Sequence, residues 1–432
     1  MSAGFITGET LTITGGRLVD PGTGVDRLAD VHVAAGQIIA IGAAPAGFSA
    51  ERTLEAHGCV VAPGLIDLSV RLREPGHEHK GSLRAELLAA VAGGVTSVAC
   101  PPDTDPPLDE PGLVDMLRYR AQQAGLARVH PLGALTARLG GERLVEMAEL
   151  AAAGCVAFSQ ADAAVVDTQV LYRAMQYAAT FGYCVWLRPQ DAWLSRNGVA
   201  HEGEVATRLG LPAIPAAAET IDLDRMLRLA RMTGARVHLC RISTAEAVAM
   251  IRAARADGLA ITADVSAAHL HLSEEDIGHF DSMMHLAPPL RSVADRNALR
   301  TGLADGTIDA VCSDHRPLDD DEKQLPFGEA LPGASGVELL LSLALRWGLE
   351  SGLPLPVVLA RLTTGPARVL GMNMGRIVPT APADLCVFDP DGQTPVTVAG
   401  LHSQGKNSPF IGQTLPGRVR ATVVGGQIVY GG

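Results

Sequence analysis

Apolar runs of strand length alternate with amphipathic stretches of helix length through the middle of the chain, from about residue 58 to residue 375. This alternation is typical of parallel βα units, because each helix returns the chain to the start of the next strand. The candidate strands are residues 59–70, 95–103, 128–136, 155–160, 183–189, 236–243, 260–269 and 308–317. Eight units of this size predict an α/β fold, a (β/α)8 TIM barrel.

Helices are predicted between these runs, for example at residues 82–94, 220–234 and 243–258. Each of these segments ends in glycine, the residue preferred just beyond a helix C-terminus. The long segment 316–336 after the last strand is acidic and rich in Gly and Pro. Its position predicts that it lies over the barrel mouth, as a lid or as a disordered segment.

Both ends of the chain carry short β-like pieces separated by glycine turns, at residues 9–57 and 376–432. Such pieces at both termini predict one small β-sandwich beside the main domain. We therefore divide the chain into 1–57, the N-terminal part of the sandwich; 58–375, the barrel; and 376–432, the C-terminal part of the sandwich.

Composition narrows the class of protein further. The 432 residues carry a formal charge of −12, with no clustered basic face to bind nucleic acid. No apolar run reaches about 18 residues, and the N-terminus lacks the charged and apolar regions of a signal peptide, so we expect a cytoplasmic protein with no membrane partner. The seven cysteines are widely spaced and form no CxxC pair, which favours core packing over metal or redox work.

The polar positions that follow the first candidate strand suggest where chemistry would occur. In VAPGLIDLSVRLREPG, residues 61–76, a period of two places Asp67, Ser69, Arg71 and Arg73 on the same face. Side chains at the carboxyl end of a barrel strand lie in the mouth, where barrel enzymes place their active sites.

Several blocks of the chain resemble the metal-dependent amidohydrolases of the dihydroorotase family. They include residues 61–76, GGVTSVACPPDTDP at 93–106, GEVATRLGLPAIPAAAE at 203–219, ITADVSAAHLHLSEED at 261–276 and TTGPARVLGM at 363–372. The resemblance covers nearly the whole chain. It implies a barrel whose mouth, in the relatives, holds zinc and hydrolyses a cyclic amide.

The resemblance also identifies the positions at which relatives hold the metal. Two strand-one histidines are replaced by Ser69 and Arg71, and the histidines of strands five and six by Arg188 and Arg241. The strand-four aspartate position reads Gln160–Ala161, followed by Asp162, whereas Asp314 matches the general base of strand eight. Arginine has no acceptor and stays protonated, so we predict that the zinc site is lost and that no cofactor is bound.

The substrate-binding positions are altered as well. Arg73, which grips the substrate carboxylate in relatives, is kept, whereas two asparagines are replaced by Asp103 and Ala287 and a histidine by Leu318. The resemblance therefore implies that the hydrogen bonds that orient dihydroorotate are missing.

The substituted arginines allow two interpretations. Arg71, Arg188 and Arg241 could pair with Asp67, Asp103 and Asp314 as a salt-bridged plug that fills the metal volume. Alternatively, Arg71, Arg73, Arg188 and Arg241 could converge on a carboxylate or phosphate. The sequence leaves both open.

A relocated metal site is a further alternative. The candidate ligands are the pairs His77 with His79 and His269 with His271, and the cluster His201, Glu202 and Glu204. Pairs without a third and fourth ligand are more often surface or packing residues. We expect His315, beside Asp314, to pack or form a hydrogen bond below the mouth.

These features predict a pseudo-dihydroorotase, with Asp314 as a vestige of catalysis. Some bacteria carry an inactive dihydroorotase-like chain that assembles with aspartate carbamoyltransferase in pyrimidine biosynthesis, and this chain resembles that class. We therefore expect a structural partner of the transferase in a homo- or hetero-oligomer. Two alternatives are an active amidohydrolase with a rebuilt or metal-free site and a module that senses an anion through its arginines.

Overall fold

The computed structural model describes residues 10–432, so the first nine residues of the predicted sandwich segment lie outside the described residues. The strands before the barrel are β1 (Leu11–Thr14), β2 (Arg17–Asp20), β3 (Val25–Leu28), β4 (Val31–Ala34), β5 (Gln37–Ile41), β6 (Arg52–Glu55) and β7 (Val60–Pro63). They are short because glycine turns such as Gly15, with φ of +70°, interrupt them.

Eight parallel strands form the central sheet. They are β8 (Leu65–Asp67), β9 (Val95–Cys100), β10 (Arg128–Ala134), β11 (Ala157–Ser159), β12 (Cys184–Leu187), β15 (Arg236–Leu239), β16 (Ile261–Ser266) and β17 (Ala310–Cys312), with the two-residue strands β13 (Ala200–His201) and β14 (Ala213–Ile214) outside the sheet. The sheet closes because the backbone N–H of His315 donates to Ser69 and that of Arg71 donates to His315, at 2.9 and 3.0 Å. The predicted barrel is confirmed, and every strand after the first lies within its predicted range.

The first candidate strand needs a correction, because residues 59–70 belong to two sheets. Strand β7 pairs with strand β18 (Leu385–Pro395) of the terminal sandwich, and the barrel strand β8 begins at Leu65. Gly64 separates them, and a side chain there would lie 2.1 Å from the Thr96 hydroxyl. This close approach lets the chain pass from one sheet to the other without a loop.

The remaining strands, β19 (Thr414–Val424) and β20 (Gln427–Gly431), join β18 in a sheet that also contains early strands. The sandwich has a four-stranded sheet in the order β5-β4-β1-β6 and a six-stranded sheet in the order β20-β19-β18-β7-β2-β3. Ile13 and Val33 from the N-terminal segment share one core with Leu385 and Val423 from the C-terminal segment. Both termini therefore build the sandwich, as predicted.

Helices cover the outside of the barrel. They are α1 (Leu83–Ala92), α2 (Pro111–Ala124), α3 (Met147–Ala153), α4 (Thr168–Phe181), α5 (Glu204–Leu209), α6 (Ala217–Thr233), α7 (Ala245–Ala256), α8 (Val293–Asp305), α9 (Asp320–Gln324), α10 (Leu340–Glu350), α11 (Leu355–Ala360) and α12 (Thr364–Leu370). The three helices predicted above are confirmed as α1, α6 and α7. In the part of the chain that the structure describes, no helix combines the length and apolarity needed to cross a bilayer.

The segment 316–336 is packed against the rest of the protein. The Lys323 side chain in α9 is buried, and its Nζ donates to the carbonyl oxygens of Ser282 and His285 at 2.9 and 3.0 Å. Lys80 binds Glu322 on the same segment. These contacts hold the segment beside the strand ends that carry the site.

Candidate functional site

Charged side chains from six barrel strand ends meet in the mouth. They are Arg71 after β8, Asp103 after β9, Asp162 after β11, Arg188 after β12, Arg241 after β15, and Asp314 and Arg316 after β17, and together we call them the arginine–aspartate cluster. Ala161, Arg241 and Asp314 have φ of +51°, +53° and +48°. These left-handed residues turn the backbone sharply where the strands end, so that the charged side chains face one another.

Asp162 is the centre of the cluster. Its Oδ1 lies 2.6 Å from Nη2 of Arg241 and 3.1 Å from Nε of Arg188. Its Oδ2 lies 2.8 Å from Nη2 of Arg71 and 2.9 Å from Nη1 of Arg316. One carboxylate thus joins four guanidinium groups, each from a different strand end or adjoining loop position.

Arg71 is the deepest cation of the cluster, with 2% of its side chain exposed. Its Nε donates to Asp103 at 2.7 Å, its Nη2 to Asp162 at 2.8 Å and its Nη1 to Asp314 at 3.1 Å. Arg241 also donates to Asp314, at 3.0 Å. Charge-assisted hydrogen bonds of this kind offset the cost of burying the guanidinium group.

The electrostatics of the cluster keep its carboxylates ionised. Burial opposes ionisation of Asp162, but Arg241 and Arg71 outweigh it, so the pKa of Asp162 lies well below its ordinary value. The same balance lowers the pKa of Asp314. Burial also opposes the charge on Arg71, yet the surrounding aspartates raise its pKa, whereas burial dominates at Arg188 and lowers its pKa. The cluster is therefore a network of charged groups at neutral pH.

The structure corrects the predicted partner Asp67. Its Oδ1 accepts hydrogen bonds from the backbone N–H groups of Ser69 and Ser313, at 3.2 and 3.0 Å. Burial raises the pKa of Asp67 to about 6, with no guanidinium group among the causes of that shift. The prediction failed because strand β8 ends at Asp67, so the period of two does not continue through Arg71.

Asp162 takes the place that the predicted pairing gave to Asp67. The preceding Gln160 turns away from the cluster: its Oε1 accepts from the Thr136 hydroxyl at 2.9 Å and its Nε2 donates to Leu139 at 2.8 Å. Arg316 was missed altogether, because it lies in the segment predicted as a lid or disordered. The sequence signal for Arg316 is its place directly after the Asp314–His315 pair.

Ser69 and Arg73 border the cluster. The Ser69 hydroxyl donates to Oδ1 of Asp314 at 3.2 Å. Arg73 directs Nε and Nη2 to a single carbonyl oxygen, that of Pro317, at 2.9 and 2.7 Å. Burial lowers the pKa of Arg73 to about 10, with further contributions from Arg71 and Arg316. Of the predicted anion-binding residues, Arg73 is thus held by a neutral group, whereas Arg71, Arg188 and Arg241 contact carboxylates.

These donors do not fit a zinc ion. Zinc needs imidazole, thiolate or carboxylate ligands with a free lone pair. The guanidinium groups offer donors alone, and they already occupy both carboxylate oxygens of Asp162 and Oδ1 of Asp314. A dication at this position would meet positive charge where its ligands should be.

The other histidines singled out in the sequence do not gather at the mouth. His269 and His271 direct Nε2 to the carbonyl oxygens of Pro288 and Leu343, at 3.1 and 2.9 Å. His201 contacts Arg291, and the rings of His77 and His79 lie 6.3 Å apart. His315 binds Glu86 at 2.8 Å in a fully buried pair, which confirms the hydrogen bond expected for it.

Metal-ligating side chains come together elsewhere among residues 10–432, in the group His238, Cys240 and Asp264 inside the barrel. Nε2 of His238 lies 2.9 Å from Asp264, and its Nδ1 lies 2.8 Å from the Thr262 hydroxyl. The other oxygen of Asp264 accepts the backbone N–H of Arg241 at 2.6 Å. Because these groups already satisfy one another, we assign the trio to holding the end of β15 in place.

A second buried carboxylate supports Arg241 from the outside of the barrel. Glu219 of α6 accepts hydrogen bonds from the backbone N–H groups and hydroxyls of Ser243 and Thr244. Thr244 in turn caps α7 through the N–H of Ala247, at 3.2 Å. The loop that presents Arg241 is therefore fixed at both ends.

Comparison with known sequences finds relatives that match nearly the whole chain. A family model described as dihydro-orotase-like matches residues 58–247. The chain is 46% identical over 423 residues to a dihydroorotase-like protein of Pseudomonas aeruginosa, covering 98% of this chain and 100% of the relative. It is 47% identical over 424 residues to a dihydroorotase-like protein of Pseudomonas putida, at 98% and 99% coverage. It is 41% identical over 423 residues to a dihydroorotase of Citrifermentans bemidjiense, at 97% and 99% coverage.

Comparison with solved structures supports the fold. An L-hydantoinase (dihydropyrimidinase) from Arthrobacter aurescens superposes with a TM-score of 0.87 at 24% sequence identity. The match covers 98% of this chain and 96% of the hydantoinase chain. At this identity the similarity extends to the barrel and its sandwich, and not to the chemistry of the mouth.

Proposed function

The chain belongs to the dihydroorotase-like family of the amidohydrolase superfamily, and from that premise we propose that it is a catalytically inactive member that serves as an assembly partner of aspartate carbamoyltransferase. In this role the barrel and sandwich act as a scaffold in de novo pyrimidine biosynthesis. The chemistry of the pathway is left to other chains.

The observation that carries the proposal is the arginine–aspartate cluster. A hydrolase of this family needs an activated water and a Lewis acid, and both come from zinc. In the cluster, Oδ1 of Asp314 accepts from Arg71, from Arg241 and from the Ser69 hydroxyl, so the carboxylate at the general-base position is held between two guanidinium groups. Arginine positions in this network hold the strand ends together by charge, which supports a structural role for the mouth.

The substrate side of the mouth supports the same conclusion. Leu318 is buried, and its backbone N–H donates to Oδ1 of Asn407 at 3.0 Å. Asp103 is bound to Arg71, and Arg73 donates to the Pro317 carbonyl. The groups that would orient a cyclic amide are therefore either apolar or engaged with the protein itself.

The proposed partner comes from the family resemblance. The chain matches relatives named dihydroorotase over nearly their entire length, so the scaffold is retained although the mouth is rebuilt. A retained scaffold with an altered mouth is expected when selection acts on the outer surface, through assembly with a partner, and not on the mouth. The number of copies of this chain in the complex would then be a multiple set by the transferase's own symmetry.

We expect no dihydroorotase turnover and no stoichiometric zinc from the purified chain, because the mouth supplies no ligand set for the metal. Turnover is measured by absorbance of dihydroorotate and metal content by plasma emission. The dihydroorotase of Citrifermentans bemidjiense, purified in the same way, is the positive control. Zinc with turnover in this chain would contradict its proposed inactivity.

We also expect the chain to form a larger complex with aspartate carbamoyltransferase from the same source, and to raise the transferase activity. Light scattering after size-exclusion chromatography measures the mass of the mixture. The L-hydantoinase from Arthrobacter aurescens, which has the same fold, is the control for nonspecific association. Separate elution of the two proteins, with unchanged transferase activity, would contradict the partner assignment while leaving inactivity intact.

A further inference from the structure

A second cavity lies at the opposite end of the barrel from the arginine–aspartate cluster. It is about 370 Å³ in volume and is lined by Ile66, Thr96 and Arg128, each at or near the start of its barrel strand. The segment that leads from α12 to the sandwich forms its other wall, with Met374 and Arg376. The cavity thus lies at the seam between barrel and sandwich, a common location for small-molecule sites, and its volume is within the usual range for them.

The polar groups of this cavity include donors that the protein itself does not use. Ser97 lines the cavity, and among the described residues its hydroxyl, which is open to the cavity, has no hydrogen-bond partner. A hydroxyl is both a donor and an acceptor, so this group is available to water or to a ligand. Its position at the cavity wall suits a polar atom of a ligand.

The charges around the cavity favour an anion. Arg128 and Asp384 form a two-bond ion pair at 2.8 and 3.0 Å, which neutralises both. Arg376 contributes a further guanidinium group, which within residues 10–432 has no carboxylate partner. The stem of Arg376 packs over Gly22, where a side chain would come within 2.7 Å of it. Arg376 is exposed, so its guanidinium group is solvated and available to an anion that enters the cavity.

The remaining lining is apolar. Ile66 and Met374 face the cavity from opposite walls, one from the first barrel strand and one from the segment that leads to the sandwich. A ligand with both an anionic group and an apolar body would contact the polar and the apolar residues of the cavity together. In such sites apolar contact supplies affinity and a few polar groups fix the ligand's orientation.

We propose that this cavity binds a small organic anion, with its ring or apolar body against Ile66 and Met374, a polar atom at the Ser97 hydroxyl and a carboxylate or phosphate group at Arg376. Binding at the seam would fix the sandwich against the barrel. None of its lining residues belongs to the mouth, so the site and the proposed function can fail separately, although the choice of pyrimidine probes rests on the proposed function.

The test is isothermal titration of the full chain with orotate and with uridine monophosphate, which present a carboxylate or a phosphate on the same pyrimidine ring. We expect at least one of them to bind. Arg376→Gln should weaken binding about tenfold, the effect of losing one charge-assisted hydrogen bond, and Ser97→Ala should weaken it severalfold. The stronger ligand identifies which anionic group the site takes.

Arg27→Gln, which removes an exposed arginine on β3, is the matched control and should leave affinity unchanged. Circular dichroism checks that each variant is folded. The proposal is overturned if neither compound binds at millimolar concentration, or if Arg376→Gln has no larger effect than Arg27→Gln. Binding that is lost in Arg73→Gln and kept in Arg376→Gln would place the ligand in the mouth and also overturn it.

Discussion

Asp162→Asn is expected to lower the free energy of unfolding by about 3–5 kcal/mol, the usual cost of removing one partner from a buried ion-pair network. Asparagine has nearly the same shape, but its amide carries no charge to offset the four guanidinium groups that contact Asp162. The cluster would retain two aspartates, Asp103 and Asp314, against four arginines. Urea denaturation followed by circular dichroism measures the loss.

Asp224→Asn is the control for this substitution, because Asp224 forms an exposed ion pair with Arg228 on α6. Exposed pairs contribute little to stability, so the unfolding midpoint of this variant should match that of the parent. Equal losses in the two variants would contradict the central role of Asp162. A loss confined to Asp162→Asn would support it.

The effect of Asp162→Asn should depend on pH. The pKa values of Asp103, Asp162 and Asp314 are lowered in the folded protein because the arginines outweigh the cost of burial. Their contribution is therefore fully present above the unfolded value of about 4 and is lost as pH falls through the lower folded values. The difference between parent and variant should narrow in acid. If the difference in unfolding free energy between parent and variant stayed constant with pH, the loss would come from packing and not from charge.

Much of the fold was predictable from the sequence, because its signals are local. Strands such as Cys184–Leu187 and Ala310–Cys312 are continuous apolar runs, as expected for strands covered on both faces. The helix ends at Gly234 and Gly258 are marked by left-handed glycines with φ of +70° and +82°. The change of sheet at Gly64 was missed because it depends on the distance to Thr96, a contact between different strands.

The candidate site was predictable in part. Ser69, Arg71, Arg188, Arg241 and Asp314 do meet in the mouth, because parallel strands place their carboxyl ends at the same rim. Their pairing was not predictable, because it depends on backbone turns beyond the last strand residue. Ala161, with φ of +51°, turns Asp162 toward the arginines, and alanine gives no sequence signal for that conformation.

Below the charged cluster the barrel interior is closely packed and mostly apolar, apart from the buried His238–Asp264 pair. Trp186 has 1% of its surface exposed and lies with its ring centroid 4.5 Å from that of His238. Ile66, Ala99 and Cys312 belong to the same interior group of buried side chains. The mouth therefore has a tightly packed base, and Trp186 is its largest side chain.

Trp186→Ala is expected to lower the free energy of unfolding by about 3–5 kcal/mol, because truncation of a buried tryptophan leaves a cavity that the barrel strands cannot close. Trp186→Phe, which keeps an aromatic ring beside His238, should cost less. Urea denaturation of both variants measures the difference, and equal losses would contradict a packing role. Because no charge is removed, the loss in Trp186→Ala should stay the same in acid, where that of Asp162→Asn narrows. The two profiles together separate the stability that comes from the apolar base from the stability that comes from the arginine–aspartate cluster above it.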